Sequence, residues 1–238
     1  MLSAIRSVIT YVSVALYVLL LGPPFLLIAI LFNQKALLYR VGHLGVRLGL
    51  FLSGITIELE GAQHIQRGRA AVYAVNHASN VEPPVIFDTL HELFPRLRIL
   101  YKAELRKLPV LVRAFDLAGF IPLERANPEQ SIPAIDRAVE ALREGNSFLI
   151  FPEGTRSRTG ELLPFKKGGF IMAIKAQAPV VPIGISGARN ALRKGSLIIY
   201  PVTVHVRVGE PVGTVGMTLD DRDKLVSIVR NRVAELIA

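Results

Sequence analysis

Between Ser7 and Gln34 the chain runs 28 positions without a charged side chain, where about 20 apolar residues suffice for a helix to cross a bilayer. The stretch is interrupted at Gly22-Pro23-Pro24. Proline removes a backbone donor and pushes the residue before it out of the helical region, so a kinked span and a shallow re-entrant hairpin both fit. A cleaved secretory leader would have a shorter apolar run and a small-residue cleavage site; Phe32 is instead followed by Asn33-Gln34-Lys35. Lys35, Arg40 and Arg47 outnumber Arg6, which puts the body of the protein on the cytoplasmic face of a membrane. Ala36 to Leu52 then shows apolar residues at helical spacing around Arg40 and Arg47, as in an interfacial amphipathic helix or one packing on a core.

From Ile55 the pattern changes to short apolar runs separated by helical segments, the mark of a layered α/β fold. The runs predict strands at Ile55–Leu59, Ala70–Val75, Leu97–Tyr101, Phe120–Leu123, Phe148–Phe151, Val180–Ile185 and Val202–Val208. Helices are predicted near Pro84–Leu93, Ala103–Leu117, Pro128–Arg143 and Lys167–Ala176. A last helix, Thr218–Leu236, opens on a Thr cap with an acidic first turn.

Composition sharpens this picture. The 238 residues allow one sizeable domain with a short appendage. Hydrophobic residues make up 51% and the mean hydropathy is +0.42, which favours contact with lipid. The formal charge of +9 attracts anionic partners. Cysteine is absent, which excludes disulfides, a thiol nucleophile and Cys-ligated zinc. The apolar N-terminus and the lack of tryptophan argue against a nucleic-acid binder.

Candidate chemistry gathers in four blocks. Asn76-His77-Ala78-Ser79-Asn80-Val81-Glu82 follows a predicted strand. If Glu82 folds back onto one imidazole nitrogen it fixes the tautomer and leaves the other nitrogen of His77 as a base; the plainer reading is a satisfied polar residue at a strand end. Phe151-Pro152-Glu153-Gly154-Thr155-Arg156-Ser157 leaves another strand and is followed by Phe165-Lys166-Lys167-Gly168-Gly169. Its glycine and its hydroxyl and cationic donors suit a phosphate, or form a solvated basic loop. Gly119 to Arg125 places an arginine just past a short strand, and Val180 to Gly187 reads as a buried strand. No Gly-x-Ser-x-Gly elbow is present.

In this order the four blocks resemble the glycerolipid acyltransferase family, over about Ala70 to Gly187. The resemblance implies a layered αβ acyltransferase domain with a mixed sheet over residues 54–238. An N-terminal membrane-embedded helical segment and interfacial helix would occupy 1–53. It implies that His77 is the general base with Glu82 as its carboxylate, and that Arg125, Glu153, Gly154, Thr155 and Arg156 bind the acceptor's phosphate, to which the residue pattern adds Lys166. Val181 and Pro182 would shape the acceptor site or acyl pocket. The family's first block ends in Asp where this chain has Glu82, one methylene longer. Asp88 is a less favoured substitute, since it falls on the following helix. The implied reaction moves a fatty acyl group from acyl-CoA or acyl carrier protein to the free hydroxyl of 1-acyl-glycerol-3-phosphate, giving phosphatidic acid, with no metal or redox cofactor. Alternatives are another lysophospholipid or glycerol-3-phosphate as acceptor, or a non-catalytic lipid-binding homologue. Arg96, Arg98, Lys102, Arg106, Lys107 and Arg113, set against Glu104 alone, form a basic stretch that anionic lipid or an acidic carrier would meet, or a solvated helix face.

Overall fold

The structure, a computed structural model, describes residues 2–107, 109–124 and 128–238. Central strands here are apolar throughout, because a strand covered by helices on both faces has no solvent side to alternate toward. This holds for β2 (Val72–Val75), β5 (Ser147–Ile150) and β6 (Val180–Ser186), nearly every residue of which is buried. The edge strand β1 (Thr56–Glu60) is exposed and charged instead. Its Glu58 and Glu60 pair with His205 and Arg207 of β7 (Thr203–Val208) at 3.1 and 3.6 Å, which blunts the edge against further pairing. With β3 (Leu97–Lys102) and β4 (Ile121–Leu123), the seven strands form one sheet in the order β1-β7-β6-β2-β5-β3-β4. All neighbours are parallel except β6 and β7, so the sheet is mixed, as expected.

Helices α5 (Pro128–Arg143), α6 (Gly168–Ala176) and α8 (Arg222–Ile237) cover one face. The other face packs on α3 (Glu82–Thr89), on the short α7 (Ala188–Ala191) and on the end of α2 (Lys35–Ser53). The remaining helices are α1 (Leu2–Leu31) and α4 (Pro109–Ala118). Every predicted strand has a counterpart within two residues at each end, and the predicted helix at Ala103–Leu117 is a 3-10 turn at Ala103–Lys107 followed by α4.

The N-terminal segment departs from expectation at its proline pair. α1 runs unbroken through Pro23 and Pro24, and the chain reverses at Asn33, in the left-handed region at φ 49°, before α2 packs back along α1. The two helices pack closely where α2 presents glycine: a Cβ on Gly45 would lie 2.7 Å from the Tyr17 ring. The Tyr17 hydroxyl then donates to Val41 O at 2.7 Å. α2 is fixed to the sheet layer by Tyr39, whose hydroxyl donates to Leu97 O at 2.5 Å and whose ring lies against Phe87 and Phe94. The start of α1 is tied down by Ser7, whose hydroxyl accepts from Ile199 N–H at 2.8 Å. α1 is long and apolar enough to cross a membrane, and Leu2, Val8, Val12, Leu16, Leu19 and Leu31 stand exposed along it. An apolar surface of that extent marks contact with protein or lipid.

Candidate active site

Strands β2, β5, β3 and β4 are mutually parallel, so their C-terminal ends open on one edge, where α/β sheets build their sites. His77 leaves β2 at this edge. The next residues form a tight loop held by Ser79, whose hydroxyl accepts from Val81 N–H at 3.2 Å and donates to Leu192 O at 2.7 Å. The loop delivers Glu82 as the first residue of α3, followed by Pro83 and Pro84. Proline is tolerated in a first turn because those N–H groups have no partner within the helix, and the helix N-terminus favours the carboxylate electrostatically.

Glu82 is 1% exposed. Its Oε2 lies 2.8 Å from His77 Nδ1, and both carboxylate oxygens accept from Ala78 N–H at 2.9 Å. An ionised carboxylate can only accept, so the pairing assigns the neutral ring's proton to Nδ1 and leaves the Nε2 lone pair open. The longer side chain is accommodated at the start of α3, where its carboxylate meets both the ring and the Ala78 N–H. The ring is further positioned by Phe151, with centroids 4.4 Å apart. Asn76 anchors the strand end by exchanging two hydrogen bonds with the backbone of Ile185, at 2.7 and 2.9 Å. Asp88 takes no part, since it pairs with His43 of α2 at 2.6 Å.

The second block stands beside the first because β5 is the neighbour of β2. Ser157 N–H donates to His77 O at 2.8 Å. Gly154 adopts φ 69°, a conformation that favours glycine, and the Lys166 side chain lies close over it. Arg156 and Lys166 make no ion pair among the described residues, and Thr155 is exposed. Arg125 lies outside the described residues.

Besides Glu82, three of the expected site residues are buried. Glu153 points inward, 4% exposed, with Oε1 accepting from His77 N–H at 2.5 Å and Oε2 from Leu163 N–H at 2.9 Å. Its anionic carboxylate would repel a phosphate; here it clamps the two loops together. Burial pushes its carboxyl above the usual carboxylate range. Ionising it therefore costs stability, and that part of the stability falls as pH rises through its folded value. Val181 and Pro182 are interior positions of β6, paired with Tyr73 and Ala74, and line neither cavity below; helices cover both faces of the sheet, so side chains on either face of β6 enter the core. Conversely, Asn76, Ser79 and Phe151 support the site although only their neighbourhood in the motif hinted at it.

We expect Glu153→Gln to lower stability by about 1–3 kcal/mol, since an amide can accept from only one of the two buried N–H groups, and to remove the pH dependence just described. Denaturant unfolding across pH checks this; an unchanged midpoint and pH profile would mean that the carboxylate braces nothing.

Two cavities of about 500 Å³ each reach residues next to the pair, though neither His77 nor Glu82 lines them. One lies between α5 and α6, lined by Leu100, Ile132, Ile135, Ile150 and Ile171, and reaches Phe151, Gly154 and Lys166. The other lies beneath the α1–α2 hairpin, lined by Val14, Tyr17, Val46, Leu50, Leu192 and Leu197, and reaches Asn80 and Val81.

Residues 56–186 match the family model described as Acyltransferase. The chain is 34% identical over 192 residues to a 1-acyl-sn-glycerol-3-phosphate acyltransferase of Limnanthes douglasii, an alignment that covers 80% of this chain and spans 66% of the length of that protein. To the alpha 1-acyl-sn-glycerol-3-phosphate acyltransferase of Homo sapiens it is 32% identical over 200 residues, 84% of this chain and 68% of that one. The fold matches the crystal structure of the 1-acyl-sn-glycerophosphate (LPA) acyltransferase PlsC from Thermotoga maritima with a TM-score of 0.80 at 25% identity, over 99% of this chain and 97% of that one.

Proposed function

The chain belongs to the acyltransferase family, and from that premise we propose that it transfers a fatty acyl group from a thioester to the free hydroxyl of 1-acyl-glycerol-3-phosphate at a membrane surface. The observation that carries this reading is the His77–Glu82 pair at 2.8 Å, set on the sheet edge beside a cationic loop. His77 Nε2 removes the proton of the acceptor hydroxyl as its oxygen attacks the thioester carbonyl. Glu82 holds the ring and stabilises the imidazolium that forms. Collapse of the tetrahedral intermediate breaks the carbon–sulfur bond, and the imidazolium returns the proton to the departing thiolate, leaving an ester and a free thiol.

Direct transfer, without an acyl-enzyme, fits the serines nearby. Ser79 is fully buried and donates to Leu192 O, while the Ser157 hydroxyl accepts from Gly160 N–H at 3.0 Å. The exposed apolar length of α1 favours a lipid acceptor over water-soluble glycerol-3-phosphate, because a bilayer-seated enzyme meets its substrate in the plane of the membrane. Arg156 and Lys166 take the acceptor's phosphate. The donor is acyl-CoA or acyl carrier protein, and the body of the protein stands on the cytoplasmic face, where these donors are found.

Incubating the purified chain with lysophosphatidic acid in vesicles and each thioester in turn should yield phosphatidic acid and an equal amount of free thiol; no thiol release above the blank with either donor would overturn the proposal. Arg156→Ala should raise the KM for the acceptor about 10–100-fold with little change in kcat, since it removes a charge-assisted contact of about 1.5–3 kcal/mol. A lowered kcat at unchanged KM would take Arg156 out of the phosphate site.

A further inference from the structure

We infer that the loop Arg193–Tyr200, between α7 and β7, is a second bilayer contact that seats the mouth of the hairpin cavity at the headgroup level of an anionic lipid surface. This rests on the reading that α1 enters a membrane.

The loop is held in one shape. Tyr200 N–H closes its base on Ala191 O at 2.8 Å, Ser196 N–H donates to Arg193 O at 3.0 Å, and Ile198 N–H donates to Ser196 Oγ at 3.0 Å. Although fixed in this way, it exposes three large apolar side chains together: Leu197 at 77%, Tyr200 at 47% and Ile198 at 38%. Single exposed apolar residues are ordinary, but a braced cluster is a contact surface. The loop is also continuous with α1. Ile199 between the exposed residues is buried and bonded through its N–H to the Ser7 hydroxyl, and Leu197 shares the cavity wall with Thr10 and Tyr11 of α1. A lipid face touching α1 therefore reaches the loop as well.

Charge selects the kind of lipid. No Asp or Glu occurs between Glu161 and Glu210, and the loop begins with the exposed Arg193 and with Lys194, whose Nζ donates to Arg156 O at 2.9 Å. Arg189 bonds Arg158 O at 2.9 Å alongside. These cations beside an apolar tip suit an anionic headgroup. Beneath the mouth, the buried hydroxyl of Thr10 has no hydrogen-bond partner among the described residues.

Because the chain lacks cysteine, single cysteines can report the contact directly. Leu20→Cys on α1, Leu197→Cys on the loop and Val215→Cys on the far face of the sheet would each carry an environment-sensitive dye and be mixed with phosphatidylcholine vesicles, with and without phosphatidylglycerol. The expected result is a blue-shifted, brighter signal at positions 20 and 197 and none at 215, with the signal at 197 growing with phosphatidylglycerol and weakened by Arg193→Glu or by salt. A response at 20 with an aqueous spectrum at 197 overturns the loop contact and leaves the membrane reading standing, whereas silence at 20 brings both down. In a second measurement, Ile198→Ser with Tyr200→Ser should lower transfer to acceptor held in vesicles by about tenfold and leave transfer to dispersed short-chain acceptor unchanged. Equal activity on vesicles would again overturn the contact.

Discussion

Replacing His77 by alanine is expected to lower turnover by about 10²–10⁴-fold, the usual contribution of a general base, while leaving the fold in place. The ring stands at the sheet edge, where its Nδ1 is held by Glu82 and its face by Phe151. Removing it takes away one partner of Glu82, whose oxygens keep the Ala78 N–H. Stability should therefore fall far less than activity does. Product formation and thermal unfolding measured on the same preparation check this, and near-normal turnover would remove His77 from the chemistry.

Glu82 gives the second large effect. Asp at this position would withdraw the carboxylate by about 1.5 Å, one carbon–carbon bond, from a site whose present distance to Nδ1 is already 2.8 Å. Displacements near 1 Å cost up to about 10²-fold in turnover, so Glu82→Asp should be slower by about 10–100-fold. Glu82→Gln should be slower still, by about 10²–10⁴-fold. If its amide oxygen accepts from Nδ1, its NH2 faces the Ala78 N–H; if it turns over, it stabilises the wrong imidazole tautomer. Both changes act on kcat more than on acceptor KM. A Glu82→Asp protein faster than wild type would mean that the site is a degenerate one, and equal rates in all three would leave Glu82 without a catalytic part.

The placement of the strands and helices could be read from the chain because periodicity is a local property. A run such as Val72 to Val75 must be buried on both faces wherever it ends up. The His77–Glu82 pair was similarly accessible, because five residues of loop and a helix start can bring the two together without help from the rest of the chain. The clamp between Glu153 and His77 joins residues 76 apart. It exists only because the sheet order sets β5 beside β2, and the motif, read as a phosphate loop, gave no sign that this carboxylate turns inward. Val181 and Pro182 lie in a strand that reads as buried from its sequence, and the sheet places both inside the core. The turn of the N-terminal hairpin was also beyond local reading. Pro23 and Pro24 carry the stronger breaking signal, yet α1 continues through them and buries Leu26 and Ala29 on the far side. Each segment's type and the short-range pairing at His77 follow from residues that lie close together along the chain. The tertiary structure decided which loops share the sheet edge, which polar groups are buried there, and how the hairpin and the Arg193–Tyr200 loop meet, because those depend on contacts between residues that only the closed sheet brings within reach.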